Sequence, residues 1–203
     1  RINPETLEIM SRIDITDYLS TASTTFAHPH VVSPNEWITM GMNTKTPKWH
    51  YEFIKYESSG GGKDSLVCQK PQILASIPSS HALGLSYFHS FGLTENYIVF
   101  LEQSLVFDMC RMISVILFNK AFSDSLLMKT NFETRIHLIN RKTGEIHKQK
   151  FITDPIFVFH HINAYETKED STKGEPSRIV VDFCGFDVDK FDINKLTYAD
   201  LFT

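Results

Sequence analysis

The sequence predicts an all-β chain. Many short apolar runs alternate with a period of two, and turn-forming residues punctuate them at close intervals. Signals for no more than one or two helices accompany them, the main one being the long apolar segment 105–122. A sandwich, a barrel and a propeller all satisfy this pattern, and no fixed-period repeat selects among them.

Composition sets the outer bounds. The chain has 203 residues, 42% hydrophobic and 22% charged, the profile of a chain that buries a core. A net charge of −4 gives no basic footprint, so nucleic acid is not expected as a partner. Cys68, Cys110 and Cys184 are odd in number and lack a CxxC pair. That argues against a disulfide framework or a zinc ribbon and suits a reducing compartment. No apolar run reaches the roughly 18 residues needed to span a bilayer. The chain opens on Arg1-Ile2-Asn3-Pro4 without a methionine, so a fragment or a processed terminus is expected.

Taken in order, residues 3–8 read as a turn entering a strand, because Pro4 pre-sets a turn dihedral and Asn3 favours the corner. Residues 14–25 are polar and feed a short strand expected to end at His28. Pro29 cannot donate to a ladder and should stop it. Ser33-Pro34-Asn35-Glu36 is a turn into a strand over 37–42. Residues 49–56 alternate, with Trp49, Tyr51, Phe53 and Lys55 on one face and His50, Glu52 and Ile54 on the other. The glycine-rich stretch 57–64 is a loop. It lacks the first glycine of a phosphate loop, and Asp64 stands where Ser or Thr would hold magnesium. Strands follow over 72–77 and 97–101. Residues 105–122 are apolar nearly all round, which suits a buried helix or an exposed apolar patch. Residues 134–139 and 145–151 flank a loop ending in Gly144, a hairpin signal. Strands over 157–160 and 178–184 enclose a charged loop, 167–177.

Nine histidines are unevenly placed. His28, His89 and His160 each sit against an apolar, aromatic segment. Packing there would lock their rotamers and aim them at one point. They are 61 and 71 residues apart, too far for a zinc finger or an HExxH site, but suited to ligands from different parts of one closed β structure. Neutral imidazole suits zinc, copper, iron and nickel. Glu95 and Glu166 are near these histidines in sequence and are candidates to orient the rings. His30, His50, His81, His137 and His147 read as packed or surface histidines. His161 follows His160, and strand neighbours point to opposite faces. Without a bulge, only one of the two faces a metal, and spacing does not say which.

At these residues the chain resembles the carotenoid cleavage oxygenase family, in its animal branch. Ala27-His28-Pro29-His30 resembles the family's first motif. His89-Ser90-Phe91-Gly92-Leu93-Thr94, continuing through Asn96-Tyr97-Ile98 to Phe100, resembles its second. Phe159-His160-His161-Ile162-Asn163-Ala164-Tyr165-Glu166 resembles its third. Asn3-Pro4-Glu5-Thr6-Leu7-Glu8 also fits, so the resemblance runs through essentially the whole chain.

The resemblance implies a seven-bladed β-propeller with a few helical or loop insertions, whose axial histidines hold non-haem ferrous iron, Fe(2+). The iron activates dioxygen, which cleaves a double bond of a carotenoid. By motif position the ligands are His28, His89 and His160. The third motif places the ligand directly after the Phe, which favours His160 over His161. The family's fourth histidine lies near the C-terminus of a longer chain, and most of its supporting glutamates fall outside residues 1–203. The chain is therefore expected to be a partial propeller domain, incomplete at both ends.

Within the family, central cleavage of β-carotene to retinal is the first expectation, on Val158-Phe159-His160-His161, Asn163-Ala164-Tyr165-Glu166 and Thr153-Asp154. Eccentric cleavage is second, on Ala121-Phe122-Ser123-Asp124 and Arg141-Lys142-Thr143-Gly144. A retinoid isomerohydrolase is third, and a non-catalytic propeller is the reading from another class. Substrates are then carotenoids or retinoids, with dioxygen. Segment 105–122 becomes a membrane-facing patch around Ile113, Ile116 and Leu117. The location expected is cytoplasmic with peripheral membrane contact, the mitochondrion being the alternative.

Overall fold

A computed structural model describes residues 2–10, 12, 14, 17–57, 71–167 and 178–195. Their strands form four antiparallel sheets. The first contains β1 (Thr24–Thr25), β2 (His30–Ser33), β3 (Glu36–Asn43), β4 (His50–Glu57) and β5 (Gln72–Pro78). It runs β1-β3-β4-β5, with β2 also on β3. Next along the chain come β6 (Gly84–Ser86), β7 (Gly92–Leu93), β8 (Tyr97–Glu102) and β9 (Leu105–Asp108). After the helix α1 (Met109–Phe118) follow β10 (Leu126–Met128), β11 (Thr134–Asn140), β12 (Phe151–Thr153), β13 (Ile156–Thr167) and β14 (Arg178–Asp187). They assemble as β10-β9-β6, β12-β11-β8-β7 and the pair β13-β14.

The core is aromatic and lies between the first sheet and the β7–β8 region. Tyr51, Phe53, Phe88, Phe91 and Phe100 are each no more than 1% exposed. Their rings meet at centroid distances of 4.6 Å for Tyr51–Phe100 and 5.6 Å for Phe53–Phe91. Each fully buried ring of this size contributes roughly 2–3 kcal/mol. Two of them, Phe88 and Phe91, flank His89 and Ser90, so the short link between β6 and β7 is pinned by its own apolar residues.

Several expectations are corrected. The N-terminal turn forms, with Leu7 N donating to Asn3 O at 2.8 Å. The strand beyond it reduces to a single bridge between Ile2 and Ile9. β1 ends at Thr25, short of His28, although Phe26 N still reaches Met40 O at 3.0 Å. Both faces of β4 are buried, Ile54 and Glu52 included, because β4 lies inside its sheet, between β3 and β5. The hairpin after β11 forms around Gly144, which has φ +74°, but its return strand starts only at Phe151. Exposed Lys148, Gln149 and Lys150 interrupt it, after one bridge at Ile146.

Segment 105–122 is not one element. Its first four residues form β9, with Leu105, Val106 and Phe107 buried. Asp108 then starts the helix by accepting from Arg111 N at 3.0 Å, which satisfies a donor that the first turn leaves open. Asn119, at φ 49° and ψ 46°, ends it. None of α1 is buried, so the buried-helix alternative is wrong. Ile116, Leu117 and Phe118 are 70–74% exposed. Most of loops 57–64 and 167–177 lies outside the described residues.

Candidate metal centre

Three unrelated pieces of backbone deliver three imidazoles to one point. His28 sits on the link between β1 and β2, which Pro29 keeps out of the ladder. His89 sits on the link between β6 and β7. His160 alone lies within a strand, β13. His28 Nε2 and His89 Nε2 are 2.9 Å apart. The His160 ring centroid lies 5.1 Å from that of His28 and 4.7 Å from that of His89, nearly perpendicular to both. One ligand atom from each lies within 4.8 Å of the others. The cluster opens outward, since His28 and His160 are exposed and His89 is half-buried.

This donor set suits a metal. Two nitrogens held at right angles by one ion at about 2.1 Å stand about 3 Å apart, close to the His28–His89 spacing. Burial, and then the neighbouring His28 and His160, hold the His89 imidazole below its ordinary pKa, so it stays a neutral donor. Among the described residues the cluster contains imidazoles alone, with no carboxylate.

His161 goes elsewhere. β13 carries a bulge between Val158 and His161, yet the two rings still diverge. The ring of His161 turns back to Ser90, with Nδ1 2.9 Å from Oγ, and burial lowers its pKa to about 4. The remaining histidines have other partners. His30 donates to Phe91 O at 2.8 Å, and His137 donates to the buried Glu102 at 3.1 Å. His81 pairs with Ser86 at 3.0 Å, His50 lies 3.3 Å from Thr46 Oγ1, and His147 accepts from Gln149 N at 3.2 Å.

Glu166 does not orient a histidine. It accepts from Thr94 Oγ1 and, at 2.8 and 2.9 Å, from the backbone and side-chain nitrogens of Asn96. Burial pushes its carboxyl up, but these bonds outweigh it and the pKa falls. Glu166 thus ties β13 to the turn before β8. The group that does touch a cluster histidine is Tyr87, whose hydroxyl lies 3.0 Å from His89 Nδ1. Sequence reasoning missed it. Its only signal was a spacing of two residues from His89, which a link outside a strand does not make meaningful.

Sequence and fold resemble solved and curated proteins of one kind. Residues 1–201 match the family model described as retinal pigment epithelial membrane protein, and the chain belongs to that family, the carotenoid oxygenases. It is 34% identical over 170 residues to human β,β-carotene 15,15′-dioxygenase, covering 82% of this chain and 31% of that protein. It is 32% identical to the carotenoid isomerooxygenase of Galleria mellonella, covering 92% and 34%. It is 28% identical to the human mitochondrial carotenoid-cleaving dioxygenase, covering 91% and 30%. The chain spans about a third of the length of these relatives. Among solved structures, a variant of the Synechocystis apocarotenoid oxygenase matches with a TM-score of 0.59 at 19% identity, over 82% of this chain and 33% of that one. That likeness places the sheets in the β-propeller fold of the carotenoid oxygenases.

Proposed function

We propose that the protein containing this chain cleaves a carotenoid double bond oxidatively, with β-carotene cut centrally to retinal. The observation that carries this reading is the cluster of His28, His89 and His160, three imidazoles converging from two links and one strand of the fold. The resemblance to a β,β-carotene 15,15′-dioxygenase supports the choice of substrate.

His28, His89 and His160 would hold ferrous iron. When bound, the iron supplies the activation of dioxygen. The chain's own part is to hold the imidazoles in place, with burial favouring the neutral form of His89. Tyr87 fixes one ring: with Nε2 on the metal, His89 carries its proton on Nδ1 and donates it to the Tyr87 oxygen. That bond sets the tautomer. Phe159, whose ring centroid is 5.6 Å from that of His89, places an apolar wall beside the cluster, suited to a hydrocarbon substrate. The exposed face of α1, with Ile113, Ile116 and Leu117, would rest on a membrane from which such a substrate is drawn.

Two measurements test this. Iron analysis of the full-length His28→Ala, His89→Ala and His160→Ala variants should show loss of most of the metal in each. Stoichiometric iron in all three would defeat the ligand assignment. Product analysis of the full-length protein given β-carotene should show retinal as the single product. An ionone with a long apocarotenal would mean eccentric cleavage, and no product at all would favour a non-catalytic propeller.

A further inference from the structure

The imidazoles of the cluster arrive from sheets that share no ladder with one another. Backbone hydrogen bonds therefore do not fix His160 relative to His89. Two side chains do, and both grip main-chain atoms next to the ligands.

The first is Ser90, adjacent to His89. Its hydroxyl donates to Phe159 O at 2.8 Å and accepts from His161 N at 2.9 Å. It also lies 2.9 Å from His161 Nδ1. Phe159 and His161 flank His160, so Ser90 holds β13 on both sides of the ligand. A hydroxyl offers one proton and two acceptor sites, and these three contacts use them all.

The second is Gln103, just past β8 and 2% exposed. Its Nε2 donates to Tyr87 O at 2.9 Å and to Val158 O at 3.0 Å. Its Oε1 accepts from Val158 N at 2.7 Å. Tyr87 lies two residues before His89, and Val158 two residues before His160. The carboxamide spends both protons and its oxygen on joining these two backbones. Val158 and His161 also bracket the bulge in β13, where pairing with β14 is irregular and the strand needs outside support.

We propose that Ser90 and Gln103 are positioning residues, whose side-chain clamps hold His160 at metal-binding distance from His89. Neither touches the metal. Both act by preorganising a site that otherwise needs three separate segments to find one another. The proposal rests on the ligand assignment above.

The test uses the full-length protein and Fe(II) titrated anaerobically against a chelator. Ser90→Ala and Gln103→Leu should each weaken iron binding 10- to 100-fold, the range for losing an orienting partner, and Ser90→Thr should restore most of it. Ser104→Ala is the matched control: that hydroxyl also donates to a backbone oxygen, Phe132 O at 3.0 Å, but ties down no ligand. It should lower the melting temperature of the metal-free protein while leaving iron affinity within twofold. The rise in Tm on adding Fe(II) should shrink for Ser90→Ala and stay whole for Ser104→Ala. Iron affinity unchanged in Ser90→Ala and Gln103→Leu overturns the clamp, as does equal weakening in Ser104→Ala. If one clamp variant does not fold, the other decides. A wild-type protein that binds no iron defeats the ligand assignment and the clamp together.

Discussion

His160 and His161 are chemically identical neighbours separated by a choice of face. Strand alternation restricts the pair to one inward ring, and the motif selects His160. The structure separates them by direction: the His160 ring joins those of His28 and His89, while the His161 ring turns back to Ser90. His161→Ala should therefore leave iron content near wild type in the full-length protein, whereas His160→Ala should not. His81 supports a prediction about pH. It is 5% exposed, and burial lowers its pKa to about 4. Once unfolded it regains its ordinary value of 6.5. Above that pH both states are neutral and nothing is lost. Below it the unfolded chain takes up a proton that the folded chain refuses, so stability falls as pH drops from 6.5 towards 4. The loss from this residue is about 3 kcal/mol. Melting temperature measured across that window should fall less steeply in His81→Gln, provided the glutamine keeps a bond to Ser86. The carboxyl of Glu102 extends the trend. Burial raises its pKa, but His137 and Ser80 more than reverse this. Its contribution is present above a pH of about 4.5 and is lost as pH falls through its lowered value.

At the scale of elements, α1 shows where periodicity misleads. Residues 105–122 are apolar nearly throughout, and one helix was a fair expectation. Asp108 divides them because its carboxylate satisfies a helix N-terminus better than a strand interior can. The apolar residues before it then enter the core, and those after it face outward. Ile113, Ile116 and Leu117 recur at helical spacing on one face, with Phe118 beside them. No described helix is long and apolar enough to cross a membrane. Lying on the surface is the geometry this face suits. Replacing all three residues by serine in the full-length protein should cut co-sedimentation with lipid vesicles at least tenfold, with little change in melting temperature. Unchanged pelleting would remove the proposed membrane role. Strands β3, β4, β5 and β11 were legible because short apolar runs lie between turn residues there, whereas the burial of both faces of β4 was not. The return strand after Gly144 was not, because a run of polar residues weakens an edge strand that pattern alone treats as continuous.

For the whole molecule, the four described sheets share no ladder: three line the aromatic core, and β13 packs through Phe157 on a second cluster with Leu105 and Val188. The three motifs made the fold class and the converging histidines legible, since each motif joins a histidine to its own apolar anchors. Tyr87, Ser90 and Gln103 were illegible. Ser90 and Gln103 grip backbone atoms of a strand up to 71 residues away, and nothing in a serine or glutamine announces which strand will pass it, while Tyr87 meets His89 across a link whose shape spacing does not give. Because the chain spans about a third of its relatives, a polypeptide of these 203 residues alone is expected to convert no β-carotene. Product formation by that piece would show that the three histidines of this chain suffice for the reaction.

The Ser90 and Gln103 contacts to β13 are mostly to main-chain nitrogen and oxygen, which every non-proline residue supplies. The gripped strand can therefore change its side chains without loosening the grip. Val158 and Phe159 are then constrained by packing and not by the grip, since Val158 is 2% exposed and the Phe159 ring lies 4.6 Å from that of Phe157. Tolerance is thus uneven: the two polar residues are held to their chemistry, and the residues they hold only to an apolar side chain of fitting volume. A saturation library across positions 90, 103, 158 and 159, sorted by iron retention, should accept apolar residues of similar size at the last two and few substitutions of any kind at the first two.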